Sequence, residues 1–126
     1  MEILIIDDDP EMRLLLTRIL KGAGYAVHEA RNGREGIALF HTTHPSLIIT
    51  DIVMPEMEGI ETIRALREAS VAIPILAISG SSTPLYLRAA IGLGATVALA
   101  KPFRASELLS VVARLLDDAA IVPFAA

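Results

Sequence analysis

The sequence contains no cysteine, so disulfide staples and thiolate chemistry are both excluded. It has no apolar stretch of membrane-spanning length. Its start, Met1-Glu2-Ile3, runs straight into a short apolar segment that ends in acids, without the basic opening and long apolar run of a signal peptide. A cytoplasmic location and no membrane association are the resulting expectations. There is no Lys/Arg-rich tract, and the formal net charge is −4. That balance argues against direct nucleic-acid binding by this chain. No internal repeat or low-complexity linker interrupts it.

What is there is 126 residues, 53% of them hydrophobic. That length makes one domain with room for a real core, and that composition is too apolar for disorder. The domain is expected to span 1–118, with 119–126 as a short C-terminal tail in which Pro123 limits regular structure.

Glu2 to Ile6 reads as an apolar strand running into Asp7-Asp8-Asp9-Pro10. Asp before Pro is a helix-start signal, and Asp9 is read as the cap. Met12, Leu15, Leu16 and Ile19 follow at helical spacing and are read as core. Gly22 and Gly24 end that helix, and Tyr25 to Ala30 is a second strand. A second helix, from about Arg34 to Phe40, turns Ile37, Leu39 and Phe40 inward and closes before Pro45. Leu47 to Asp51 is a strand buried on both faces. A third helix carries Ile60, Ile63, Leu66 and Arg67. Ile73 to Ser79 is a fourth strand, and a helix from Pro84 to about Leu93 follows. Thr96 to Ala100 is a fifth strand, and a last helix spans Ala105 to Leu116. Five such alternations imply an α/β fold: a doubly wound parallel sheet with helices on both faces. Ligands in such sheets bind beyond the carboxyl ends of the strands.

Those ends carry the chemistry. Asp7 and Asp8 follow the first strand, Asp51 the third, Ser79 the fourth and Lys101 the fifth. Each alone has an ordinary reading as a cap, a turn residue or a solvated strand end. Their common rim makes coincidence a poor explanation. Clustered carboxylates repel and need a cation to stay ionised together. All-oxygen ligands suit Mg²⁺, which often bridges carboxylates to phosphate oxygens. A carboxylate can accept a phosphoryl group as an aspartyl phosphate. The physical reading is an Mg²⁺-dependent phosphoryl acceptor at Asp51. His28, His41 and His44 have no second catalytic group beside them and are read as solvated polar residues.

The pieces Ile5-Ile6-Asp7-Asp8-Asp9-Pro10, Asp51 with Met54-Pro55 and Gly59, Ser79 after an apolar strand, and Lys101-Pro102-Phe103 resemble the receiver domain of two-component response regulators, the CheY-like family. The resemblance covers Ile3 to about Leu116. It implies a flavodoxin-like three-layer sandwich with strand order 2-1-3-4-5. It implies that Asp51 accepts the phosphoryl group from a phosphohistidine on a sensor histidine kinase or histidine phosphotransfer protein. Asp8 and Asp51 would ligate Mg²⁺ with the backbone carbonyl of Val53, and Asp7 would act through water. Ser79 and Lys101 would bind phosphoryl oxygens, and the Lys101–Pro102 bond would be cis. The output would pass to a downstream protein target or a fused output domain. One position departs from the family: receivers usually carry Tyr or Phe three residues before the Lys, and here that residue is Ala98.

Three other functions compete. An Asp-nucleophile phosphatase would need a second acid two residues after Asp51, where this chain has Val53. A flavin-mononucleotide binder would need hydroxyls and glycines after the first strand, where this chain has three acids that repel phosphate. An interaction module without phosphorylation would have no need of the full acid, hydroxyl and ammonium set. The expectation is therefore a signalling phosphoacceptor rather than a turnover enzyme.

Overall fold

In the computed structural model, five strands alternate with five helices among the described residues, which are 1–52, 59–70, 72–80, 84–92 and 94–121, with the backbone alone at 84–87 and 118–121. In chain order they are β1 (Glu2–Ile6), α1 (Pro10–Gly22), β2 (Ala26–Ala30), α2 (Gly33–Thr43), β3 (Leu47–Asp51), α3 (Gly59–Ala69), β4 (Ile75–Ser79), α4 (Pro84–Gly92), β5 (Val97–Ala100) and α5 (Ala105–Ile121). The strands pair in parallel in the order β2-β1-β3-β4-β5, as expected.

Alternation along the strands builds two cores. Ile3 and Ile5 face one side and join Leu16 and Leu20 of α1 with Leu108, Val112, Leu115 and Leu116 of α5. Leu4 and Ile6 face the other and join Ile63 and Leu66 of α3 and Ala90 of α4. A strand whose successive side chains point to opposite faces must be apolar throughout when both faces are covered. That is why β3 and β4 are buried at every position.

Several expectations shift at the edges of elements. Leu15, expected inside, is 46% exposed, while Thr17 and Leu20 are buried. Helix α1 is turned so that Leu16, Thr17 and Leu20 face the sheet, and Met12 and Ile19 flank them. The β4 ladder starts at Ile75, not Ile73. Pro74 has no N–H to donate, although its carbonyl still accepts from Ile48 N at 3.1 Å. Helix α2 runs beyond Phe40 to Thr43, and His44 closes it in the left-handed region at φ 49. Helix α5 runs beyond Leu116 to Ile121, because Asp117-Asp118-Ala119-Ala120 holds no glycine or proline to stop it.

Candidate functional site

The strand register lines up the predicted residues before any side chain is considered. Ile6 pairs with Thr50, so Asp7 and Asp51 follow on neighbouring strands. Asp51 pairs with Ile78, and Ser79 with Ala100, so Ser79 and Lys101 complete the same rim. Main-chain bonds carry the sheet past its strand ends: Asp7 N donates to Ala30 O at 3.1 Å, Ile52 N to Ile78 O at 3.0 Å and Lys101 N to Ser79 O at 2.8 Å. Asp7, Asp51 and Lys101 are therefore held where the sheet's own hydrogen bonding continues.

One carboxylate oxygen from each of Asp7, Asp8 and Asp51 lies within 4.8 Å of the others. Asp7 is 1% exposed and Asp51 9%, whereas Asp8 is exposed to solvent. Lys101 Nζ stands between the two buried acids, 3.6 Å from Asp7 Oδ2 and 3.5 Å from Asp51 Oδ2. Burial pushes the Asp7 carboxyl up to about 6; the Asp9 N–H and Lys101 oppose that rise, and the Asp51 and Asp8 charges add to it. One ammonium among three carboxylates leaves a local excess of negative charge. All-oxygen donors with one solvent-facing member fit a hard divalent cation, so Mg²⁺ suits the residues present.

The surroundings fix the acceptor candidate. The Thr50 hydroxyl donates to the Asp51 carbonyl at 3.0 Å. Gly59, the first residue of α3, lies against the Asp51 carbonyl and Ile52 so closely that a Cβ would collide with both. Asp9 caps α1, its side chain accepting from Glu11 N at 3.0 Å. The peptide between Lys101 and Pro102 is cis. Ser79 is fully buried. Val53 and the rest of 53–58 lie outside the described residues, as do Ser81 to Thr83 and the Tyr86 side chain. Ala98 sits half-buried against the cluster that includes Ala77, Ala90 and Ala95. The histidines stay away from the rim: His28 meets Glu2 at 2.7 Å, His41 stacks edge-on to Phe40, and His44 caps α2.

Two arginines were not assigned a role from the sequence. Arg13 on α1 donates from Nη1 to the Asp7 carbonyl at 2.7 Å. Arg67 on α3 donates to the carbonyls of Ser70, Ile73 and Gly94. Their short bonds go to main-chain carbonyls, which no local sequence pattern places.

Comparison with known proteins agrees with this geometry. Residues 3–113 match the family model described as the response regulator receiver domain. The chain is 36% identical to the response regulator MprA of Mycolicibacterium vanbaalenii over 90% of its own length and 49% of the relative's. It is 38% identical to the transcriptional regulatory protein CusR of Escherichia coli over 97% of its length and 54% of the relative's. It thus spans about half the length of these curated relatives. Among solved structures, a CheY-like receiver domain protein from Methanospirillum hungatei superposes with a TM-score of 0.89 at 27% identity, covering 94% of each chain. With the sheet order, the acid rim and the family match in agreement, the chain belongs to the response regulator receiver domains of two-component systems.

Proposed function

We propose that Asp51 is a phosphoryl acceptor whose donor is a phosphohistidine on a sensor histidine kinase or histidine phosphotransfer protein. The observation that carries this is Lys101 Nζ placed between Asp7 and Asp51 at 3.6 and 3.5 Å, in a rim of three converging carboxylates. A carboxylate oxygen of Asp51 forms the new O–P bond as the P–N bond opens and its electron pair returns to the imidazole. Lys101, freed from part of its pairing with Asp51 once that oxygen is esterified, neutralises the phosphoryl oxygens, and Ser79 supplies a hydroxyl. By the family resemblance Asp8, Asp51 and the Val53 carbonyl would hold Mg²⁺, with Asp7 acting through water, and the ion would supply charge neutralisation for the phosphoryl group. The output is a protein contact, to a downstream target or an output domain, in the cytoplasm. The domain assists its own phosphorylation and turns over no other substrate. The receiver unit is taken as 1–118, and the 119–126 stretch that follows begins within the last turn of α5.

Incubation with acetyl phosphate and Mg²⁺, followed by intact-mass measurement, tests the acceptor. The parent should gain one phosphoryl group; Asp51→Asn and Asp8→Ala should not. Equal modification of Asp51→Asn would sink the assignment.

A further inference from the structure

Asp8 makes no hydrogen bond or ion pair among the described residues, so the main chain on either side sets where its carboxylate points. On one side, Asp9 N donates to Asp7 Oδ1 at 2.9 Å. On the other, the peptide joining Asp7 to Asp8 is planar, so holding its oxygen fixes the direction of the bond to the Asp8 Cα. That oxygen is held by Arg13. Nη1 donates to the Asp7 carbonyl at 2.7 Å, while Nε faces Glu29 Oε1 on β2 at 3.6 Å. The Arg13 side chain is 14% exposed, and its own N–H starts α1 by donating to Asp9 O at 3.0 Å. The acidic turn is thus stitched to β2 through Ala30 O, to α1 through Asp9, and to both through one guanidinium.

We propose that Arg13 is a positioning residue: it sets the Asp7–Asp8 peptide so that both carboxylates converge on one cation. This rests on the metal-binding part of the reading above. Arg13 touches neither a carboxylate of the rim nor the acceptor, and acts only through the main chain. A planar fork suits this, because it can hold a carbonyl and a carboxylate from fixed directions at once. The Glu29 arm is half-exposed and long, so it should contribute little.

The test is calorimetric titration of Mg²⁺ itself into the parent, Arg13→Met, Arg13→Lys and Glu29→Gln, paired with melting curves in chelator. Arg13→Met keeps the stem and loses the donors. It should bind Mg²⁺ about tenfold more weakly, equivalent to about 1.4 kcal/mol. Glu29→Gln should stay within about twofold of the parent. Arg13→Met with parental Mg²⁺ affinity and only a lower melting temperature would overturn the assignment and leave Arg13 a packing residue. If Arg13→Met fails to fold, Arg13→Lys decides: a single-donor ammonium should bind about threefold more weakly, and parental affinity overturns the proposal. A parent that takes up no Mg²⁺ overturns the phosphoacceptor reading along with this one, whereas a binding parent and an unchanged variant overturn this one alone.

Discussion

Gly59 lies beneath the backbone of Asp51 with no room for a side chain: a Cβ there would fall on the Asp51 carbonyl oxygen and the Cα of Ile52. The glycine is the point where α3 meets the end of β3, so the Asp51 main chain is clamped between a helix start and the Thr50 hydroxyl. Backbone atoms cannot swing aside as the tip of a flexible side chain can. Gly59→Ala should therefore destabilise by about 2 kcal/mol or more, lowering the melting temperature by roughly 10 °C, and should also slow phosphorylation by acetyl phosphate. A variant that melts within a degree or two of the parent would show that the helix start can shift freely.

Asp7 predicts an unusual pH dependence in metal-free buffer. Its carboxyl releases a proton near 3.8 in the unfolded chain and about 6 in the folded one, chiefly because of burial. Between those values the folded state holds the extra proton, so stability is greatest below the lower one and falls as pH rises through the upper one. The full difference corresponds to roughly 3 kcal/mol. Asp7→Asn should match the parent near pH 4, melt higher than it at pH 7.5 in chelator, and gain less from added Mg²⁺, since a cation that binds only the folded state stabilises it. A parent-to-variant gap that stays constant from pH 4 to pH 7.5 would count against the buried carboxyl as its source.

The layered fold and the rim were legible because both rest on one-dimensional patterns. Apolar runs ending in Asp7, Asp51, Ser79 and Lys101 imply parallel strands, and parallel strands deliver their ends to one edge. The α1 face was legible only in part. Apolar spacing alone gives Met12, Leu15, Leu16 and Ile19 and passes over the polar Thr17, whereas packing buries Leu16 and Leu20, carries Thr17 in with them and leaves Leu15 exposed. Asp117 and Asp118 resemble a tail, yet neither residue breaks a helix, and α5 runs on to Ile121. Arg13, Arg67 and the collision at Gly59 depend on where distant main-chain oxygens lie, which no local pattern encodes.

Arg67 is the second such case, and it makes a direct prediction. Its guanidinium donates to Gly94 O at 3.1 and 2.6 Å, to Ser70 O at 3.2 Å and to Ile73 O at 2.7 Å. Burial holds its pKa below the usual arginine value. Arg67→Met would leave three carbonyls short of a donor, at a cost of about 2–4 kcal/mol. Arg67→Lys should recover less than half, since one ammonium cannot span the fork's three directions. Urea midpoints would check both, and a lysine variant as stable as the parent would mean that charge, not geometry, is what the site needs.

The same anchor bears on how a phosphoryl group at Asp51 would be read out. Typical receivers move an aromatic ring in response to the hydroxyl residue, but this chain has Ala98 at that place, so the response must run elsewhere or be weak. A ligand shifts a protein only by contacts that differ between two states. Helix α4 starts five residues after Ser79, near the rim, and its far end is secured: Gly94 N donates to Ile91 O at 3.1 Å, Ala95 N to Ala90 O at 2.9 Å, and Arg67 holds Gly94 O. A start that answers the site and a far end held by these bonds would make α4 a pivot. With Mg²⁺ and beryllofluoride, a stable phosphoryl mimic, backbone amide shifts should be large at Ser79, Gly80 and 85–88, fade toward Ile91 to Ala95, and stay small at Val97 to Leu99. Arg67→Met should release the fixed end and spread the shifts to Gly94 and Ala95. Shifts confined to Val97, Ala98 and Leu99, with 85–88 silent, would place the coupling in β5 and refute the pivot.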